Sequence, residues 1–317
     1  MGRPPGPAGA AGPGGASPFR RGRPLSRWID IVAAGPATTV QDRGRPGLAH
    51  LGVPRSGALD QPAFKLANRL VGNAEEAAVL EATLSGVAVR AGAACHVAVT
   101  GAPAPVTVDG RPAAWGVPLE VAAGAVLRVG AAERGVRSYL AVSGGLMVEA
   151  VLGSRSTDLL SGLGPPPLRA GDRLPVGDPQ GPPAALDMAP YPAPGDDIVL
   201  EAHLGPRDEW CATRTLLEAA YQVSPDSNRV GLRLSGRPLA RLREGELPSE
   251  GAVTGAVQVP PDGQPIVLLA DHPTTGGYPV VAVVAERDLP KCAQARPGAR
   301  VRFRLLPPTG LSGGRAE

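Results

Sequence analysis

Aromatic side chains make up only 3% of the 317 residues, so a core must be assembled from Val, Leu and Ala, which bury less area per side chain than Phe or Trp. That favours many short β elements. Lysine is almost absent: Lys65 and Lys291 are the only two. The formal charge of +3 does not point to a polyanion partner, because Arg3, Arg20, Arg21, Arg23 and Arg27 all precede the first acidic residue, Asp30, and outweigh the whole excess. The body has no basic stripe with stacking aromatics, so no nucleic-acid partner is expected. Cys95, Cys211 and Cys292 are an odd number with no CxxC pair, which argues against a disulfide framework or a zinc site. No run approaches the ~18 apolar residues of a membrane span, and the N-terminal stretch lacks the apolar region of a secretory signal. The expected compartment is the reducing cytoplasm.

Familiar catalytic signatures are missing too. There is no GxxxxGK[ST], no GxGxxG after a strand, no GxSxG and no HExxH. His50, His96, His203 and His272 are scattered without a metal-binding spacing, so no resident metal site is expected in this chain.

What is present is 43% hydrophobic residues, enough for a core, arranged around two loose stretches. Residues 1–27 are nearly all Gly, Pro, Ala, Ser and Arg and predict a disordered tail. A second Pro/Gly-dense stretch, 177–197, divides an N-terminal lobe, 28–180, from a C-terminal lobe, 192–308, with a flexible end at 309–317. The first lobe reads as strands (WIDIVAAG, TTVQD, AAVLEATL, CHVAVTGA, VTVDGRPA with an Asp109-Gly110 turn, LRVG, VRSYLAVSGG). One helix interrupts them, capped by Asp60, with Pro62 in its first turn and Gly72 as its stop. The second lobe reads as IVLEAHLGP, a helix over about 207–221 with Trp210, Leu217 and Tyr221 on one face, then RVGLRLSG, the hairpin VQVPPDGQPIVLL, PVVAVVAE and VRFRLL. The fold class is mainly β: two β-rich lobes of barrel or sandwich type with a few short helices.

Four loops at strand ends concentrate polar and turn residues, where function tends to reside. In TTVQDRGRPG, Gln41 and Asp42 lie beside two arginines; Asp42 either caps a turn and pairs with Arg43 or Arg45, or serves a ligand. In GVPRSGALDQP, Ser56 and Gly57 precede the Asp60 cap, as a simple helix start or as an anion site. In SPDSNRVG, Asn228 and Arg229 lead into a strand, and the arginine fork suits carboxylate or phosphate oxygens as well as a surface ion pair. The fourth, Asp271-His272-Pro273-Thr274-Thr275-Gly276-Gly277-Tyr278-Pro279, combines hydroxyls, glycines and a phenol between apolar strands, more than a hairpin needs.

The ordered series TTVQDRGRPG, SGALDQPAFKLANRLVGN, VRSYLAVSGG, GSRSTDL, SNRVGLRLSG and VQVPPDGQPIVLLADHPTTGGYP resembles the KipA family, also called allophanate-hydrolase subunit 2 or the biotin-dependent carboxyltransferase family, from about Ile29 to Leu306. The resemblance implies a cyclophilin-like β-barrel and pairing with a KipI-like subunit. Three employments follow: a subunit of ATP-dependent 5-oxoprolinase, working with KipI-like and LamB/YcsF-like partners; the carboxyltransferase half of a biotin-dependent urea carboxylase; or a regulatory protein of a sporulation kinase. Neither Lys65 nor Lys291 has a biotinylation context, so no covalently bound biotin is expected. SGALD and TTGGYP read as in stand-alone oxoprolinase subunits. In that reaction ATP phosphorylates the lactam oxygen before water attacks. The resemblance then implies ATP with magnesium in the complex, and a 5-oxoproline or nucleotide site drawn from Gln41, Ser56, Gly57, Asn228, Arg229, Gln258, His272, Thr274, Thr275, Gly276, Gly277 and Tyr278. Asp42, Asp60 and Asp271 are the expected base or magnesium ligands.

Overall fold

A computed structural model describes residues 27–185 and 195–307. The expected tail, apart from Arg27, and the expected flexible C-terminus after residue 308 lie outside the described residues. Arg27 itself is anchored, donating to the Gly177 carbonyl at 2.8 Å.

The N-terminal lobe is built in three layers. A five-stranded antiparallel sheet runs in the order Thr38–Gln41, Val79–Thr83, Arg137–Val142, Cys95–Gly101, Leu119–Val121. One face, carrying Leu80, Val97, Val99, Leu140 and Val142, packs against a six-stranded sheet whose Ile29, Ile31, Val89 and Leu127 complete the core. The other face, carrying Val79, Ala98, Tyr139 and Ala141, is covered by the helix Gln61–Leu70 through Ala63, Phe64, Ala67 and Leu70. Burial on both faces explains why VLEAT and RSYLAV read as continuous runs instead of alternating. The helix starts where the sequence says it should: Asp60 accepts from the Ala63 amide at 3.1 Å with Pro62 in the first turn. It ends at Gly72, whose φ of 72° suits glycine and where a Cβ would meet the Pro182 carbonyl at 2.4 Å.

The C-terminal lobe is a closed seven-stranded barrel in the order Asp197–Leu204, Val280–Val284, Ala256–Gln258, Ile266–Leu268, Gly231–Ser235, Tyr221–Val223, Arg300–Leu305. Parallel pairing of Asp197–Leu204 with Arg300–Leu305 closes the ring. The mainly β expectation, with a barrel and few short helices, therefore holds. Two local expectations do not. The helix expected over 207–221 is broken into a 3-10 turn, Asp208–Trp210, and a short helix, Thr213–Glu218. Cys211 between them is held in a bridge to Arg241, and Tyr221 is drawn into the barrel as a strand residue edge-on to Phe303 at 6.3 Å. Tertiary pairing overrides the helical spacing here. The start of the stretch expected as linker is also docked on the first lobe, Ala184 donating to the Leu70 carbonyl at 2.9 Å.

Among the described residues no helix is long and apolar enough to cross a membrane. All three cysteines are free and buried, and burial pushes the Cys292 thiol up to about 12. A thiol reagent at pH 8 should therefore label little in the native protein and all three after urea unfolding. Fast native labelling of Cys292 would contradict this packing.

Candidate functional site

The two lobes meet through a buried polar network that parts distant in the sequence assemble. Glu81 and Tyr139 stand directly opposite each other on paired antiparallel strands, on the helix-covered face. That register brings the Tyr139 hydroxyl within 2.9 Å of Glu81 Oε2, to which it donates, while accepting from the Asp60 amide at 2.8 Å. Two residues before Tyr139, Arg137 points the same way, with Nε 3.6 Å from Glu81 Oε1.

From the barrel, Arg229 reaches into this group. Its Nε and Nη2 donate to the two Asp271 oxygens at 2.9 Å each, Nη1 donates to Glu81 Oε1 at 2.5 Å and Nη2 to the Gly57 carbonyl at 2.7 Å. Burial alone would lower the Arg229 pKa, but the Glu81 and Asp271 carboxylates reverse that and hold it above its ordinary value. Asp271 also accepts from Ser56 Oγ at 2.8 Å and from the Leu159 amide at 3.2 Å. Ser56 sits at φ 53°, a left-handed conformation that costs a non-glycine residue energy. It is held there by its own amide on the Ala270 carbonyl at 2.9 Å. The last strut is Gln294, from the helix Leu289–Gln294, which donates to Asp60 at 2.8 Å and to the Arg137 carbonyl at 3.0 Å.

A second cluster lies around Asp42. Its Oδ1 accepts from the Gly44 amide at 2.8 Å and from the Ser154 and Ser156 hydroxyls at 2.6 Å each; Oδ2 accepts from the Arg155 amide at 2.6 Å. The ion pair with Arg43 or Arg45 is not formed among the described contacts. Arg45 instead donates from Nε to the Val151 carbonyl and from Nη2 to the Ser156 carbonyl, its buried Nη1 having no partner, and burial lowers its pKa more than nearby Asp42, Asp158 and Asp271 raise it. Gln41 donates to Thr39 Oγ1 and the Thr157 carbonyl, both at 3.0 Å.

Of the residues singled out in the sequence, the structure thus brings together Ser56, Gly57, Asp60, Arg229 and Asp271. Asn228 turns its side chain back on the Val230 and Gly231 amides. The 274–278 segment stands apart from the network: Thr275–Gly276 forms a small ribbon with Glu250–Gly251, and Thr275, Gly277 and Tyr278 are exposed. Gln258 lies beneath it, its Nε2 2.8 Å from where a Cβ on Gly276 would stand, so a larger residue there would displace the Gln258 side chain. His272 is buried, with Nδ1 2.7 Å from the Pro273 carbonyl, and burial lowers its pKa. Glu81, Arg137, Tyr139 and Gln294 are not among the sequence candidates. For Glu81 and Arg137 the signal was a charge inside an apolar strand run: AVLEATL and VRSYLAV each place an ionised group where both faces are covered; Tyr139 and Gln294 carried no such signal.

Between the lobes, beside the network, lies a cavity of about 250 Å³. Arg137 and Arg229 line it, with Thr39, Ser227 and Asn228 as neutral polar groups and Leu84, Leu159, Leu232 and Leu269 among its apolar wall. Among the described residues no carboxylate lines it; Glu81 and Asp271 stand behind the guanidiniums.

The Tyr139 hydroxyl gives a direct test of the network. Burial first, then Glu81 and Asp60, push its pKa well above the ordinary 10. The folded state therefore retains a proton that the unfolded chain releases, so this contribution is complete below pH 10 and declines as pH rises beyond it. Tyr139→Phe should cost about 1–3 kcal/mol in urea unfolding at pH 8. Its stability should also fall less steeply above pH 10 than that of the parent protein. Equal slopes in the two proteins would remove Tyr139 from the alkaline transition.

A sequence model of the carboxyltransferase domain, subdomains A and B, matches residues 51–305. The C component of the 5-oxoprolinase of Escherichia coli is 40% identical over 281 residues, 87% of this chain and 90% of that protein. The protein of the same name from Haemophilus influenzae is 34% identical over 286 residues, 88% of this chain and 91% of that one. Among solved structures, the urea amidolyase of K. lactis superposes with a TM-score of 0.83 at 30% identity, covering 91% of this chain and 19% of its own. The protein TTHA0988 superposes with a TM-score of 0.80 at 37% identity, covering 93% and 59%.

Proposed function

The chain belongs to the family of carboxyltransferase domains with subdomains A and B, and from that premise we propose that it is the C-type component of an ATP-dependent 5-oxoprolinase. The complex converts 5-oxo-L-proline, ATP and water to L-glutamate, ADP and phosphate. The observation that carries the reading is the 40% identity to the E. coli protein along 90% of its length. The urea amidolyase likeness covers only 19% of that much longer chain, and it supports a shared domain more than a shared reaction.

The division of labour follows from how the side chains are spent. Asp42, Asp60 and Asp271 each have their oxygens engaged by protein donors, and none lines the cavity. They do not fit a magnesium ion or a general base in the chain as it stands. The chain supplies binding groups and a rigid frame, and a KipI-like and a LamB/YcsF-like partner supply the ATP-handling and water-activating groups. The 274–278 segment, in which Thr275, Gly277 and Tyr278 are exposed, is the part of the sequence motif we assign to contact with such a partner or its ligand. The buried free thiols suit a reducing cytoplasm.

Purified alone, the protein should neither hydrolyse ATP nor open 5-oxoproline. Mixed with the two partner subunits, it should give 5-oxoproline-dependent glutamate release. Full turnover by the isolated chain would sink the composite-site reading, and ATP- and biotin-dependent carboxylation of urea in its place would transfer the chain to the urea carboxylase branch.

A further inference from the structure

We propose that the cavity between the two lobes is a binding site for one small monocarboxylate with an apolar body, with Arg137 as its anchor. Among the described residues the lining holds two guanidiniums and no acid; Glu81 and Asp271, which balance their charge, lie outside the lining. Of the two, Arg229 is already spent on Asp271, Glu81 and Gly57. Arg137 is not. It is only 6% exposed, yet Nε has no hydrogen-bond partner, and the side chain's one hydrogen bond is from Nη1 to the Ala293 carbonyl at 2.5 Å. Its nearest carboxylate oxygen, Glu81 Oε1 at 3.6 Å, is shared with Arg229. Burial lowers the Arg137 pKa more than Glu81 raises it, the mark of a cation whose desolvation is incompletely offset.

A buried guanidinium fork that spends only Nη1 on a hydrogen bond, with Nε left 3.6 Å from Glu81, is suited to a carboxylate. Leu84, Leu232, Leu269 and Leu159 offer the ligand's body apolar contact. Size sets the upper limit. At about 250 Å³ the cavity falls below the ~300–1,000 Å³ of pockets that enclose drug-sized ligands, which excludes a nucleoside triphosphate and admits an acid of one five-membered ring. The proposal rests on the oxoprolinase reading only for the identity of that acid, 5-oxo-L-proline; the chemical class comes from the cavity.

The test is calorimetric titration of the isolated full chain with 5-oxo-L-proline, acetate, 2-pyrrolidinone and ATP. The two carboxylates should bind saturably at one site, 5-oxo-L-proline at least tenfold tighter than acetate. The neutral lactam 2-pyrrolidinone should bind at least tenfold more weakly than 5-oxo-L-proline, and saturating ATP should leave acid binding unchanged. Arg137→Lys should weaken the acid about tenfold. Leu84→Trp changes a lining residue that is 38% exposed, so it leaves the buried network in place and should abolish binding by filling the cavity. Each variant is first checked for an unchanged circular-dichroism spectrum. If no carboxylate binds, or the neutral lactam binds as well as the acid, or Leu84→Trp binds normally, the site is not this cavity. Glutamate release by the reconstituted complex alongside that result would leave the oxoprolinase reading standing and sink only the cavity proposal.

Discussion

Replacing Arg229 with methionine should cost about 3–5 kcal/mol of folding stability, because it leaves two buried carboxylates without the cation between them. Methionine fills much of the same space, so the loss reads the charge and hydrogen bonds more than a cavity. Glu81 and Asp271 are 2% and 0% exposed, and Arg229 bonds both of them. Arg137 can shift toward Glu81 from 3.6 Å, but Asp271 has no second cation within ion-pair distance among the described contacts. The variant also carries a pH signature. Without the guanidinium the folded state favours protonated carboxylates, so it binds more protons than the unfolded chain, and the deficit should narrow as pH falls from 8 toward 5. Urea unfolding of the parent, Arg229→Met and Arg229→Met/Asp271→Leu at both pH values checks this. The double variant should recover part of the loss, since an apolar pair is tolerated where a lone charge is not. A single-variant loss below about 1 kcal/mol, in the range of exposed ion pairs, would mean that solvent reaches the network.

Much of this architecture was legible one element at a time. The Asp60 cap, the Asp109-Gly110 turn with φ of 48° and 76°, and the pairing of Val257 with Val267 in the VQVPPDGQPIVLL hairpin are all local chemistry, and local chemistry is what spacing and residue type encode. The network was legible only at its loop ends, Ser56, Gly57, Asp60, Arg229 and Asp271. Its strand members were hidden because their partners lie far along the chain: Arg229 meets Glu81 across 148 residues and Gly57 across 172. A glutamate in VLEAT marks a buried charge that needs a cation, but not which of the many arginines answers it. The expected helix over 207–221 failed for the same reason. Tyr221 fits a helical face by spacing, yet barrel closure pairs it with Val301, 80 residues on, where antiparallel bonding outweighs propensity.

The same distinction decides what Asp42 does. In the sequence it looks like a reactive carboxylate beside two arginines. In the fold it ties the loop after Thr38–Gln41 to the GSRSTDL segment, accepting from Gly44, Ser154, Arg155 and Ser156. Hydrogen bonds to a charged acceptor contribute about 1.5–3 kcal/mol each, and an unsatisfied buried donor costs on the order of 1–3. Asp42→Asn keeps the shape but removes the charge and turns one acceptor into a donor facing those groups. The two serine hydroxyls can rotate to answer it, whereas the backbone amides of Gly44 and Arg155 cannot. The variant should therefore lose about 3 kcal/mol, read by urea unfolding. In the reconstituted complex at a temperature well below its Tm, the correctly folded fraction should keep kcat within a few-fold of the parent, because both carboxylate oxygens are held by protein donors. The opposite pattern, an unchanged Tm with kcat down about a thousandfold or more, is what loss of a catalytic base produces. That result would show that partner binding frees Asp42 from its four donors and turns it toward the substrate.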